Sequence, residues 1–228
     1  MVGCNDDCTT KATQAMGTPA HYSSELSRRL GFLIDRLYPI VENGLDGDKE
    51  FGGALGTTFL LAMATPMIVL PLERILRLLE GKRTMADDAA ANPRLSQEIA
   101  RIFAGGQSFA RAPFSHLDGW SYVEGQPRFD IADRWPANVL EQLGTSQAQA
   151  DIGQASTVQV MKDLRNALSH GGITYLNADG HHVYGDDAVM LGFAADQTFN
   201  GPNYNIIRVT ETAFRRFLSD WSAWLSNP

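Results

Sequence analysis

The stretch Asp163-Leu164-Arg165-Asn166-Ala167-Leu168-Ser169-His170-Gly171-Gly172 sets an arginine, an amide and a histidine on one short polar arc of an otherwise apolar helix. Between Ser156 and His170 the residues Val160, Met161, Leu164, Ala167 and Leu168 recur at helical spacing, and the paired glycines that follow are a helix stop. At about 100° per residue the polar trio turns away from the apolar stripe. Asn166 and His170, four apart, share a face, so the amide can bond the imidazole and fix its tautomer. The planar fork of Arg165 suits a phosphate, and a histidine exchanges its proton near neutral pH. A phosphate clamp beside an acid or base is what phosphodiester cleavage needs.

The run Arg165-Asn166-Ala167-Leu168-Ser169-His170, followed by Gly171-Gly172-Ile173, resembles the R-x4-6-H signature of the HEPN superfamily, in which a polar residue usually follows the arginine. The likeness covers about ten residues closely and the rest only in helical character. It implies a mainly α fold, a helical bundle, to which the strand-like runs after Gly172 add a small β-hairpin or sheet between the motif helix and the C-terminal helix. It also implies a metal-independent endoribonuclease, needing no cofactor, in which two subunits pair their motif helices around a composite site. There His170 would act as general base or acid, Arg165 would stabilise phosphoryl charge, Asn166 would orient the imidazole, and Lys162, one turn earlier, would touch a phosphate. Members of the superfamily often serve in toxin-antitoxin or anti-phage systems, so an antitoxin or defence partner is implied as well. The alternative is a non-catalytic dimerisation or nucleotide-binding module that keeps the helix without the activity. A solvated basic face at a helix C-terminus would look the same in sequence.

The elements around the motif follow from periodicity. Residues 1–20 are polar, without apolar period, and read as a disordered tail; residues 21–228 read as one domain with the β-insert at about 173–209. From Ser23 or Ser24 to Asn43-Gly44, Leu26, Leu30, Leu33, Ile34, Leu37, Ile40 and Val41 trace one stripe, an amphipathic helix. Phe51 to Leu72 lacks charge and is long enough for a membrane span. Three glycines, Pro66, Pro71 and the charged continuation after Leu72 instead predict buried bundle helices near 53–65 and 68–80, possible to join as one. Lys82-Arg83-Thr84 and Asp87-Asp88 mark a loop, and Pro93 to Phe103 a helix with Leu95, Ile99, Ile102 and Phe103 inward.

Gln107 to Trp135 interleaves Phe109, Phe114, Trp120, Tyr122 and Phe129 with glycine and proline, a packed loop with one or two short strands. Pro136–Leu143 reads as a short helix and 144–154 as a polar linker. Ile173–Leu176 and His182-Val183-Tyr184 around Asn177–Gly180 read as a hairpin, with further strands at 188–194 and 204–209. Thr210 then caps a last helix with Phe214, Phe217, Leu218, Trp221 and Leu225 inward.

The 228 residues carry a net charge of -7, so nucleic acid cannot be held through global charge and any RNA contact must be local. Cys4 and Cys8 lie in the tail without further cysteines or histidines to complete a metal set, and read as reduced thiols. Met1-Val2-Gly3-Cys4 resembles no secretory or lipoprotein signal, which predicts a cytoplasmic protein with no membrane partner. His181-His182 with Asp186-Asp187 contains metal-ligand types, but neighbours on a strand point to opposite faces, favouring a turn-proximal polar cluster. There is no Walker loop, G-x-G-x-x-G or H-E-x-x-H, and Ser115-His116 has no evident aspartate.

Overall fold

A computed structural model describes residues 22–79, 81, 92–182 and 187–227. The tail expected at 1–20 with its cysteines, the loop expected at Lys82–Thr84 and Asp87–Asp88, and Val183, Tyr184 and Asp186 lie outside these residues. In chain order the elements are α1 (Ser27–Glu42), α2 (Gly56–Leu79), α3 (Pro93–Ile99), β1 (Trp120–Pro127), α4 (Ala137–Leu143), α5 (Ser146–Gln154), α6 (Thr157–His170), β2 (Ile173–Leu176), β3 (Met190–Asp196), β4 (Asn203–Thr210) and α7 (Glu211–Ser226).

The strands form one antiparallel sheet in the order β1-β4-β3-β2. The fold is therefore mixed α/β, and the expected mainly α bundle with a small hairpin insert is wrong. The sheet is not confined to 173–209: β1 comes from the aromatic segment before the motif helix and pairs Trp120 with Val209 and Tyr122 with Ile207. Both faces of the sheet are covered. Trp120, Tyr122, Leu191, Phe193, Ile207 and Val209 face the main core with α2, α6 and α7, while Leu176, Ala194, Tyr204 and Ile206 pack against Trp135 and α4. One or two short strands were expected within the aromatic segment and β1 is one of them, but its place beside β4 rests on a pairing between segments far apart in the chain, which local pattern does not show.

Three smaller differences are local. α5 stands where a linker was expected; Thr145 caps it by accepting from Ala148 N at 3.2 Å, and of its buried residues Ala148, Ile152 and Gly153 only Ile152 is a large apolar side chain, which makes no stripe. Asn177–Gly180 does turn, but His182 is not in a strand and β2 pairs with β3, Ile173 opposite Phe193. α1 buries Ser27, Ile34 and Tyr38, leaving Leu33, Leu37 and Ile40 of the expected inward side exposed. Gly31 lies on the side of α1 that approaches α7, where a Cβ would come within 3.3 Å of Ser222 Oγ.

α2 is a single helix through both prolines. Proline has no N–H, so Pro71 leaves the carbonyl four residues back, Met67 O, without a helical donor. Trp221 Nε1 of α7 donates to that carbonyl at 2.8 Å. Pro93 to Phe103 forms α3 and a following turn with Leu95, Ile99, Ile102 and Phe103 all buried, as the spacing predicts. Thr210 caps α7 as expected, and Phe214, Phe217, Leu218, Trp221 and Leu225 enter the core.

Candidate functional site

α6 owes its position to its ends. Ser156 caps it by accepting from Gln159 N at 3.2 Å, and Gly171 closes it at φ 75°, a left-handed conformation that glycine adopts without steric cost. Gly172 serves a different purpose: a Cβ there would run into the carbonyl of Ala194, whose N–H donates to Gly172 O at 2.7 Å. The double glycine thus lets the helix stop and lets the chain lie directly on β3.

This places the polar side of α6 opposite the β3–β4 connection. The two enclose a cleft of about 680 Å³, within the range of about 300–1,000 Å³ common for ligand sites. Lys162, Arg165, Asn166 and His170 all line it, with Gln159, Arg128, Asp196 and the rim residue Phe199. All four residues expected from the sequence meet in one concavity. Among the described residues Arg128, Lys162 and Arg165 in this wall outnumber the carboxylates beside them, Asp196 in the wall and Glu73 behind Arg165, so the cleft is locally cationic in a chain of net charge -7.

The individual contacts refine the expectation. Arg165 is not free: its Nη1 lies 2.9 Å from Glu73 Oε1 of α2, and its Nε is buried without a hydrogen bond. The guanidinium is thereby held at the edge of the cleft with donors still uncommitted. Asn166 is half-buried and makes no hydrogen bond to the exposed His170, so the expected tautomer-fixing bond is not formed in the free chain. Across the cleft Arg128 sits 5.0 Å over the Tyr204 ring, donates to Gly201 O at 3.1 Å and approaches Asp196 at 3.3 Å.

Beneath the cleft lies a group that the motif reading passed over. Asp163 is 1% exposed, and its Oδ2 accepts from Tyr122 Oη at 3.2 Å and Asn205 Nδ2 at 3.1 Å, its Oδ1 from Gln159 Nε2 at 2.8 Å. Burial pushes its pKa up to about 7, against the lowering effect of the three hydrogen bonds. The same burial, with the neighbouring Asp163 charge, raises the Tyr122 phenol well above its usual range. This network pins α6 to β1 and β4. Its signal in the sequence is an acid between Val160 and Ala167 on the apolar side of the helix.

The other candidates resolve as scaffold. His182 Nε2 accepts from Trp135 N at 3.0 Å and its Nδ1 lies 3.1 Å from Thr174 Oγ1, so the ring is a neutral bridge; burial first, then Arg134 and His181, lower its pKa. Among the described residues no three His, Cys, Asp or Glu side chains converge as a metal set. His116 does find an aspartate, with Nε2 2.9 Å from Asp220 Oδ2, but Ser115 Oγ donates to Ala112 O instead, so no serine relay is assembled. Comparison with known proteins adds nothing to this geometry: no family model, curated protein or solved structure matches the chain.

Proposed function

We propose that the cleft is the active site of a metal-independent endoribonuclease acting through the ribose 2′-hydroxyl. The observation that carries this reading is the meeting of Lys162, Arg165, Asn166 and His170 in one locally cationic cleft of an acidic chain. The 2′-hydroxyl oxygen attacks the adjacent phosphorus, the bond to the 5′-oxygen breaks, and the products end in a 2′,3′-cyclic phosphate and a 5′-hydroxyl. His170 takes or supplies the proton. Arg165, preset by Glu73, and Lys162 meet the charge that grows on the phosphoryl oxygens. Asn166 is assigned the orienting contact that forms once substrate fills the cleft, since catalytic hydrogen bonds often tighten only in the complex. A second copy completing the site, and a toxin or defence setting with its neutralising partner, belong to the same proposal. Light scattering at micromolar concentration then reads twice the 25.0 kDa of one chain.

The test is cleavage of single-stranded RNA in excess chelator, with product ends analysed and a DNA copy as control. His170→Ala is expected to lower the rate by about 10² to 10⁴ and Arg165→Ala by about 10² to 10³, with Asn166→Ala between these and wild type. The partly exposed Arg165–Glu73 pair is worth at most about 1 kcal/mol, so neither loss unfolds the chain. Abolition by chelator rejects the metal-free mechanism, and unchanged cleavage by both alanine variants moves the site elsewhere. A second reading, a nucleotide-binding module without cleavage, is favoured by one feature: Arg165 is already paired with Glu73, while the His170 side chain makes no hydrogen bond among the described residues. Binding without cleavage of any RNA selects it.

A further inference from the structure

The cationic cleft has a neighbour on the far side of the turn that ends α6. His170 and Gly172 line the cleft, Gly171 between them lines a second cavity of about 650 Å³, and Ile131 is common to both. Nothing in the second cavity takes part in the chemistry proposed above. Among the described residues four aromatic side chains are exposed, and three of them line these two cavities: Phe199 in the first, Phe51 and Tyr175 in the second. The fourth, Phe32, lies on α1. Phe51 is 72% exposed and Tyr175 39%, so the rings present open faces. Thr58 Oγ1 of α2 donates to the Tyr175 hydroxyl at 3.4 Å, steadying the tip of that ring.

The two cavities divide their chemistry. The first offers Arg128, Lys162 and Arg165 against Asp196; the second offers aromatic rings with the carboxylates Asp133 and Asp187 on its wall, beside Arg134 and the bridging His182. Carboxylates repel a phosphate but accept hydrogen bonds from the amino edge of a base. Aromatic faces stack bases. Between the cavities Gly171 carries no side chain, and the space a Cβ would take is open.

We propose that the second cavity is a nucleobase subsite: the base next to the phosphate held by the cleft passes over Gly171 and stacks on Tyr175 and Phe51. Asp133 and Asp187 favour bases that carry an exocyclic amino group over uracil. The subsite rests on the reading of the cleft as an RNA site, and the experiment separates the two.

An uncleavable 2′-O-methyl tetranucleotide carrying one 2-aminopurine, whose fluorescence falls on stacking, is titrated against the full chain beside an abasic chain of the same length. Wild type is expected to bind and quench. Phe51→Ala and Tyr175→Ala are expected to lose quenching and to bind the 2-aminopurine oligomer roughly 5- to 150-fold more weakly, with binding of the abasic chain unchanged. Arg165→Ala weakens both oligomers alike. Since both rings are exposed, matching melting curves exclude misfolding as the cause. Binding by wild type without quenching, or equal losses on the abasic chain, overturns the subsite and leaves the cleft reading in place. Base-dependent binding with no cleavage of RNA keeps the subsite and rejects the nuclease, and binding of neither oligomer rejects both.

Discussion

Asp163 shows what one buried carboxyl does to a fold. It is held by Tyr122, Asn205 and Gln159 and its pKa stands at about 7 instead of the ordinary 3.8. Between those values the folded chain keeps a proton that the unfolded chain releases. Stability is therefore free of this cost below about pH 4, falls as pH rises through the window, and carries the full cost above about pH 7. Asp163→Asn keeps a carbonyl acceptor for Tyr122 and Asn205 and lets the Gln159 amide turn to accept. In urea unfolding from pH 4 to 7.5 its stability relative to wild type is expected to rise with pH, and a constant difference would refute the assignment. Asp163→Ala strands the buried Tyr122 and Asn205 donors at about 1–3 kcal/mol each. At this scale the sequence was informative where spacing alone suffices: Lys162, Arg165, Asn166 and His170 share a helical arc, and they share a cleft. It was silent on Glu73 and Arg128, because partners about 92 and 68 residues away in sequence, Arg165 and Asp196, meet them only through tertiary packing.

Elements whose ends carry their own chemistry were legible. Asn92 before Pro93, Ser156, Thr210 and Gly171 each satisfy or close a helix terminus with local atoms, and α3, α6 and α7 lie where those residues put them. A short strand was expected in the segment of β1, but its place in the sheet was not legible, since its pairing with β4 joins segments far apart in the chain. The continuity of α2 through Pro71 has the same long-range character, because the carbonyl it frees is met by Trp221 of α7. That substitution of one donor for another is testable as a cycle. Trp221→Phe leaves Met67 O buried without a donor and is expected to cost about 1–3 kcal/mol, beyond the smaller ring's loss of packing. Pro71→Ala restores the helical N–H, so in that background the cost of Trp221→Phe falls by about 1 kcal/mol. Denaturant melts of the four proteins measure the coupling, and strict additivity means that the indole bond to Met67 does not stabilise α2.

For the whole molecule the same helix decides how the chain meets its solvent. Gly56–Arg77 is long and apolar enough to cross a membrane by length and composition. In the folded chain, however, Leu60, Ala64, Met67, Ile68, Leu72 and Ile75 are buried in the main core. Polar ties fasten both ends and the middle: Thr57 Oγ1 to Glu211 Oε2 at 2.5 Å and Ala188 O at 2.7 Å, Trp221 to Met67 O, and Glu73 to Arg165 at the cleft. Moving α2 into a bilayer would break each of these ties. It would also leave Glu73 and Arg74 in or near hydrocarbon, where a charge at the centre costs about 2.5–3.5 kcal/mol on insertion scales. It would further strip the aromatic face of α7, where Phe214, Phe217 and Trp221 pack in the core that α2 helps close. The untagged chain is accordingly expected in the supernatant after high-speed centrifugation of a detergent-free lysate, with the intrinsic tryptophan emission blue-shifted as buried indoles require. A chain recovered only with detergent would mean that α2 is not packed against α7, and the cleft built on its Glu73–Arg165 tie would have to be redrawn with it.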